Sequence, residues 1–264
     1  MLASDVFAHE CTNALNLPVR VEVLGVPVDP WTMGQTVQAA DWFIQNGRFA
    51  HLIGVNADKL LQMRDDQRMD GIVRRCEIVN ADGASMVMAA RLLGRTVPER
   101  VAGIDLMGEL CRLAQKNGYP VFLLGAKQEV VDKTAGALEQ TYPEIKIAGV
   151  RNGYYAKEEV DDVVEYVEKV DPKIVFVGIT SPKKEMLIER FREQGSNRVF
   201  VGVGGSFDVL SGSIPRAPLW MQKINLEWLF RMVQEPKRLG WRYISGNIRF
   251  LYILQAEMRR KGSA

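Results

Sequence analysis

Four short segments of the sequence place polar or glycine-rich residues directly after an apolar run: GVNAD, NADG, LLGA and VGVGGSFD. An aspartate in this position, such as Asp82 in NADG, can take a proton from a hydroxyl group or stabilise positive charge developing on a sugar ring. Aspartate is also a preferred N-cap residue, so Asp82 could instead cap the helix that begins near Ala84. Position alone leaves both roles open.

Two other acidic or amide segments follow apolar runs. In GVNADK, the pattern favours Asn56 as a turn residue and Asp58 as part of the first helical turn. In GGSFD, Asp208 could hold ribose hydroxyls through its carboxylate, or it could simply form a turn before a loop.

Glycine, aromatic and basic residues complete the candidate set. LLGA and VGVGG provide glycines where a backbone can approach a phosphate or a ribose, although neither forms a full GxGxxG or Walker sequence. Tyr154 and Tyr155 follow IKIAGV, where a ring could stack on a base such as uracil or pack at the edge of the core. Lys183 and Lys184 in SPKKE could contact phosphate or remain solvated.

These residues need a scaffold that brings the ends of several strands together. The apolar runs HLIGVN, EIVNAD, PVFLLGA, IKIAGV, KIVFVGI and RVFVGVG alternate with helical patterns at 105–117, 127–141, 157–169 and 182–194. The alternation is typical of βαβ units, and the continuous apolar runs indicate strands covered on both faces. We therefore predict an α/β, Rossmann-like, mostly parallel sheet whose carboxyl strand ends bind the ligand.

The two ends of the chain depart from this pattern. VEVLGVPVDP indicates a hairpin or edge segment, and Thr32 with Gln35 indicates a capping box that opens a helix through about Asn46. Near the C-terminus, LWMQKINLEWLFRMVQ and a segment around RYISGNIRFLYILQAEMRR are predicted helices with no strand between them. We predict an α/β domain over residues 1–212 and a helical appendage over residues 213–264.

Composition excludes several classes of protein. Among the 264 residues, 47% are hydrophobic and 25% are charged, which excludes a disordered or fibrous chain, and a net charge of +2 is too small for bulk nucleic-acid binding. No apolar stretch approaches the roughly 20 residues of a membrane span, and the N-terminus does not resemble a signal peptide. Three widely spaced cysteines and two histidines predict reduced thiols and no metal site.

The appendage interleaves aromatic and basic residues, which suits an anionic lipid interface. The alternative is a helix pair packed on the domain with its charges in water, and the two arrangements could hold in different states. A homo-oligomer would hide apolar surface that an undocked appendage exposes. The residues concerned are Trp220, Trp228, Trp241, Tyr243, Arg231, Lys237, Arg238, Arg242, Arg249, Arg259 and Arg260.

Taken together, these segments resemble the WecG/TagA/CpsF family, glycosyltransferase family 26, from about Val21 to Tyr243. The most specific part is GVGGSFDVLSGSIPRAPLWMQKINLEWLFRMVQEPKRLGWRY, in which the RAP, EW, R and EP-R elements occur in the family's order. The family adds a sugar to lipid-linked intermediates of teichoic acids, enterobacterial common antigen and exopolysaccharides.

The resemblance implies roles for individual residues. Asp82 matches the family's proposed catalytic base, and Arg100 in ERVAGID matches an arginine that meets the donor diphosphate or the acceptor. Tyr154 and Asp208 match positions that contact uridine. The full set of implied substrate-binding residues is Gly54, Asn56, Gly125, Tyr154, Lys184, Asp208, Arg231, Arg238 and Arg242.

The resemblance also implies a reaction. It is an inverting, metal-independent transfer, without a cofactor, from a UDP-sugar to an undecaprenyl-diphosphate-linked sugar, by a cytoplasmic protein at the inner face of the plasma membrane. Gly54 replaces the threonine of a T-x-N pattern, and Lys184 replaces the glutamine of PKQE. The donor could therefore be of the N-acetylmannosamine, glucose or uronic acid type.

Two other functions remain as alternatives. A nicotinamide-dependent sugar oxidoreductase would need a glycine-rich first turn with an acidic partner about 20 residues on, and the sequence does not contain that pair. A non-catalytic nucleotide-sugar-binding protein would keep the binding residues, and release of UDP would separate it from a transferase.

Overall fold

A computed structural model describes residues 3–236 and 240–262. The strands are β1 (Val21–Val23), β2 (Val26–Val28), β3 (Ala50–Val55), β4 (Ile78–Ala81), β5 (Pro120–Gly125), β6 (Lys146–Arg151), β7 (Ile174–Gly178) and β8 (Val199–Gly202). The helices of the α/β part are α1 (Ala3–Ala14), α2 (Met33–Gln45), α3 (Ala57–Asp65), α4 (Gln67–Arg75), α5 (Ala84–Leu92), α6 (Gly103–Asn117), α7 (Gln128–Thr141), α8 (Val160–Val170), α9 (Lys183–Glu193) and α10 (Ser206–Leu210). The appendage contains α11 (Leu219–Lys223), α12 (Glu227–Gln234) and α13 (Trp241–Gly262), and a 3₁₀ turn at Lys157–Glu159 precedes α8.

Six strands form one parallel sheet in the order β4-β3-β8-β7-β5-β6. Side chains along the inner strands β3, β8, β7 and β5 alternate between two buried faces. On β3, Leu52 faces a cluster with α2, α6 and α7, whereas Ile53 faces α3, α4, α5 and α13. Phe200 on β8 packs against α8 and α9. This double coverage explains the continuous apolar runs and confirms the predicted α/β, Rossmann-like architecture.

The direction of the connections reverses between β5 and β7. After β5 the chain runs outward to the edge strand β6, but after β7 it runs the other way, to β8. The helices that follow β5 and β7 lie on opposite faces, since α7 packs in the cluster of α2 and α6 whereas α9 packs with α8. This reversal makes the carboxyl ends of β5 and β7 a topological switch point, and open α/β sheets bind their ligands in the crevice at such a point.

Local signals near the N-terminus are confirmed. β1 and β2 pair as an antiparallel hairpin. The Gln35 backbone N–H donates to Thr32 Oγ1 at 3.2 Å, and Gln35 Oε1 accepts from the Thr32 backbone N–H at 2.9 Å, which completes the predicted capping box. Its helix ends at Gln45 with Asn46 as the C-cap, as predicted.

The cysteines Cys11, Cys76 and Cys111 are free and buried, as the prediction of reduced thiols requires. Burial raises the pKa of Cys11 and of Cys111 to about 12, so neither forms a thiolate near neutral pH.

The predicted helix over 219–234 is wrong in one respect, because it is two helices. Asn225 adopts the left-handed conformation, with φ 61°, and separates α11 from α12. The last helix, α13, packs on the sheet domain through Phe250 and Leu254, which are 2% and 4% exposed, and through an ion pair between Arg249 and Asp65 at 2.8 Å. Within the described ranges, no helix combines the length and apolarity that a membrane span requires.

Candidate functional site

Asp82 lies half-buried directly after β4, at the carboxyl edge of the sheet. Gly83 is the N-cap of α5, and that cap has no side-chain hydrogen bond. Asp82 Oδ1 instead accepts the backbone N–H of Gly103, the first residue of α6, at 3.2 Å. The carboxylate therefore does not cap the helix that follows it, and it meets the N-terminus of a different helix.

Burial raises the pKa of the Asp82 carboxyl above its usual value, and the Gly103 N–H and the charges of Arg100, Lys184 and Arg231 offset part of that rise. A carboxylate with a raised pKa at a strand end is suited to general base catalysis, because its proton affinity moves towards the working pH.

The backbone of β3 leaves room for this carboxylate. Gly54 pairs with Asn80 on β4, and a Cβ atom added to Gly54 would lie 2.7 Å from Asp82 Cβ. Glycine at position 54 therefore leaves free the space that the Asp82 side chain occupies. Two residues later, Asn56 is the N-cap of α3, since its Oδ1 accepts the Lys59 backbone N–H at 3.0 Å.

Three cationic side chains from three different elements act on Asp82 through their charges. Arg100 precedes α6 and is half-buried. Lys184 stands in the first turn of α9, and its Cε would lie 3.1 Å from a Cβ atom at Gly202, the end of β8. Arg231 comes from α12 in the appendage. The structure thus brings together three residues that are far apart in the sequence.

A buried ion pair fixes the start of α9, which carries Lys184. Glu185 is fully buried, and its Oε1 lies 2.7 Å from Lys59 Nζ and 3.7 Å from Lys184 Nζ. Lys59 also donates to Ser181 Oγ at 2.7 Å. Burial tends to raise the pKa of Glu185, but the two lysines outweigh burial and lower it. The sequence did not predict the pair between Lys59 and Glu185, although Glu185 stands in SPKKE. Lys183, the other lysine of that segment, is exposed.

Glycines at the carboxyl ends of β5 and β7 bring the two backbones into close contact. Gly125 has φ 145°, and a Cβ atom there would lie 2.5 Å from the carbonyl carbon of Gly178. The next residue, Ala126, accepts the Gly153 N–H at 2.9 Å through its carbonyl oxygen, so the loop after β6 lies against these strand ends. Tyr154 follows at once and is 71% exposed. These glycines let the ends of β5 and β7 and the loop after β6 pack closely against one another, and the exposed Tyr154 ring follows this packed segment.

Asp208 and Arg231 flank the loop after β8. Asp208 Oδ2 and Arg231 Nη1 would each lie 3.6 Å from a Cβ atom at Gly205. Phe207 packs directly on Gly178, which places this loop against the end of β7. Arg231 therefore lies beside the loop after β8 and also acts on Asp82 through its charge.

A network of ion pairs connects the appendage to the carboxyl edge of the sheet. Its central residue, Glu227, is not among the site residues predicted from the sequence. Glu227, the first residue of α12, accepts from Arg100 at 2.8 Å through Oε2 and from Arg216 at 3.2 Å through Oε1. Arg216 also pairs with Asp105 on α6 at 2.8 Å. The RAP and EW elements of the sequence supply Arg216 and Glu227, but their partners lie more than a hundred residues away.

Two predicted site residues are not placed. Arg238 lies outside the described residues, and so does the side chain of Arg242.

The chain matches a model of a known protein family. A model described as "Glycosyl transferase WecG/TagA/CpsF family" matches residues 21–264. The matched region includes both the parallel sheet and the appendage, and it therefore contains every residue of the site described above.

Proposed function

Since this chain belongs to the glycosyl transferase WecG/TagA/CpsF family, we propose that it transfers a sugar from a UDP donor to a hydroxyl group of an undecaprenyl-diphosphate-linked sugar. Family membership makes the chain a glycosyltransferase of cell-surface polysaccharide synthesis. The observation that carries the finer proposal is the convergence of one carboxylate, Asp82, with three cationic side chains at the ligand-binding edge of the sheet.

The proposed reaction is a single displacement. Asp82 takes the proton of the acceptor hydroxyl as its oxygen forms a bond to the anomeric carbon of the donor sugar. The bond from that carbon to the diphosphate oxygen breaks, and UDP leaves with the electron pair. Attack from the side opposite the leaving group inverts the configuration at the anomeric carbon.

The cationic side chains stabilise the charge that develops on UDP. Arg100, Lys184 and Arg231 each act on Asp82 through their charge, so they lie near the reacting atoms as well as the base. Lys184 is held by the buried Glu185, and a fixed cation stabilises a leaving group without reorganisation during the reaction. On this proposal the protein supplies the neutralising charge itself, without a metal or a cofactor.

The switch point at the ends of β5 and β7 supports a nucleotide at the other end of the site. Gly125 offers backbone to the diphosphate, and the exposed ring of Tyr154 offers a stacking surface for uracil. Asp208 supplies a carboxylate for ribose hydroxyls. In this proposal the donor lies with its ribose at Asp208, its diphosphate near Arg231 and its sugar near Asp82.

A panel of UDP-sugars tests the proposed function. UDP-linked N-acetylmannosamine, glucose and glucuronic acid are incubated in turn with the full chain and a soluble lipid-diphosphate-sugar analogue, and the product mass is measured. The expected result is one product heavier by one sugar residue, with one equivalent of UDP released. Binding of UDP-sugars without release of UDP would instead support the non-catalytic alternative.

We also propose that the appendage docks on the inner face of the plasma membrane. Trp220, Trp241 and Tyr252 are exposed on its helices, at 61%, 80% and 72%. A groove of about 700 Å³ along α13 has mainly apolar walls, and Arg259 is one of its lining residues. Exposed aromatic rings beside basic residues are typical of proteins that bind an anionic lipid interface.

Point substitutions test the docking proposal better than truncation does. Removing the appendage would uncover the core around Phe250 and Leu254, so loss of vesicle binding would be ambiguous. Replacing Trp241 and Tyr252 by serine should reduce co-sedimentation with phosphatidylglycerol-containing vesicles at least about tenfold. Tyr166→Ser, on the exposed face of α8, is the control. Equal binding by both variants would refute the proposal.

A further inference from the structure

The carboxylate of Glu227, at the start of α12, engages two arginines at once, Arg100 before α6 and Arg216 of the appendage. Both of its oxygens are used, one by Arg100 and one by Arg216, and its side chain is 17% exposed. Burial tends to raise the pKa of Glu227, but the hydrogen bonds and charges of the two arginines lower it below its usual value. Glu227 is therefore ionised at neutral pH.

Arg100 interacts with two carboxylates. It donates a hydrogen bond to Glu227 at 2.8 Å, and it acts on Asp82 through its charge. An arginine that turned fully to Asp82 would occupy the oxygens that must receive the proton, and it would lower their proton affinity. The partner of Arg100 therefore affects the strength of the base.

The position of Glu227 is itself fixed. Arg216 holds the second oxygen of Glu227 and is anchored in turn on Asp105 of α6, the same helix whose first N–H binds Asp82. The carboxylate of Glu227 is thus set relative to the base through one rigid element. Such a support is expected where a side chain must be held in one of two competing orientations.

We infer that Glu227 is a positioning residue that holds Arg100 beside Asp82 without letting it pair with Asp82, so that the base stays free for the acceptor hydroxyl. The inference rests on the proposed function in taking Asp82 as the base. It adds a role for the appendage, since correct docking of α12 sets the strength of a base that lies on the sheet domain.

The first test is the pH dependence of turnover in Glu227→Gln. Without the Glu227 charge, Arg100 has Asp82 as its remaining carboxylate partner, so kcat/KM should fall at least about tenfold. The acidic limb of the pH profile should also move about one pH unit lower, since an adjacent arginine lowers the pKa of a carboxyl. Lys184 and Arg231 also face Asp82, but the substitution leaves both unchanged. Glu227→Asp should restore part of the activity.

A matched control separates positioning from docking. Asp65→Asn breaks a different ion pair between the sheet domain and the appendage, with Arg249. If Glu227 only fastened the appendage, both variants would lower kcat/KM with an unmoved acidic limb, and this result would overturn the inference. In an Arg100→Met background, Glu227→Gln should no longer move the limb. The limb position does not depend on how much of a variant folds.

A second measurement needs no turnover. The Asp82 carboxyl carbon is followed by ¹³C NMR as a function of pH, in the full chain and in Glu227→Gln, with Asp82→Asn identifying the resonance. We expect the Asp82 pKa to fall in Glu227→Gln, and an unchanged pKa would overturn the inference. If no UDP-sugar is turned over by the unmodified chain, the proposed function fails, but this titration still decides whether Glu227 controls Arg100.

Discussion

Replacing Asp82 by asparagine removes a proton acceptor while keeping the shape of the side chain. The amide oxygen can still accept the Gly103 N–H that Asp82 Oδ1 accepts at 3.2 Å, so the start of α6 should stay in place. A positioned base contributes about a hundred- to ten-thousandfold to a rate, which corresponds to roughly 3–5 kcal/mol of activation free energy. We therefore expect kcat to fall by that factor while UDP affinity changes little.

The same substitution should not destabilise the protein at neutral pH. Burial raises the pKa of Asp82 in the folded state, so the folded chain binds this proton more tightly than the unfolded chain does. The stability gained from that proton is fully present below the unfolded pKa, and it is lost as the pH rises through the folded pKa. At pH 8 the ionised Asp82 lowers the free energy of unfolding, and asparagine removes this cost.

Three measurements on one variant decide the matter. We compare UDP affinity by calorimetry, kcat with the preferred donor, and Tm at pH 8 and pH 4 with the values of the unmodified chain. The control is Asp70→Asn on α4, where Asp70 pairs with Arg74 of the same helix. The expected pattern is unchanged UDP affinity, lost turnover, and a Tm at pH 8 that is equal or higher by a few degrees, roughly 2–4 °C per kcal/mol. Turnover within about threefold of normal would remove Asp82 from the mechanism.

Two other predictions follow from close contacts in the site. Gly54→Ala should push Asp82 out of place, because the added Cβ would lie 2.7 Å from Asp82 Cβ, and should lower kcat at least about tenfold. Gly136→Ala, a helical glycine with open space around it, should leave kcat unchanged, and equal activity of the two variants would contradict the prediction. Lys59→Met should leave the buried Glu185 without its 2.7 Å partner and lower the free energy of unfolding in urea by about 3–5 kcal/mol. A loss below about 1 kcal/mol would show that folding does not depend on this pair.

The positions of the strands could be predicted from the sequence, but their order could not. PVFLLGA predicts β5 to within a residue of Pro120–Gly125, because a strand buried on both faces must be apolar throughout. Nothing in that run says which strands lie beside it. β8 is the last strand in the sequence, yet it lies between β3 and β7, and a hydrophobic period carries no information on neighbours.

The sequence likewise predicts some features of the site but not others. Asp82 could be found from the sequence because parallel strands present their carboxyl ends at one edge, and the structure places it there. Sequence position could not decide between capping and other roles for Asp82, because the N–H that it accepts belongs to Gly103, on another helix. The EW element contains Glu227, but its role could not be predicted, since its partner Arg100 is 127 residues away and two charged residues at that separation have no detectable pattern.

The central position of β8 in the sheet has a consequence for folding during synthesis. While the chain is synthesised, β3 with β4 and β7 with β5 and β6 can each pair, but both groups keep an open inner edge until residues 199–202 leave the ribosome. Unpaired strand edges recruit other chains, and parallel pairing of distant segments is slow. A nascent chain stopped between Gly178 and Val199 therefore exposes the unpaired inner edges of β3 and β7, and pairing of β8 covers both together.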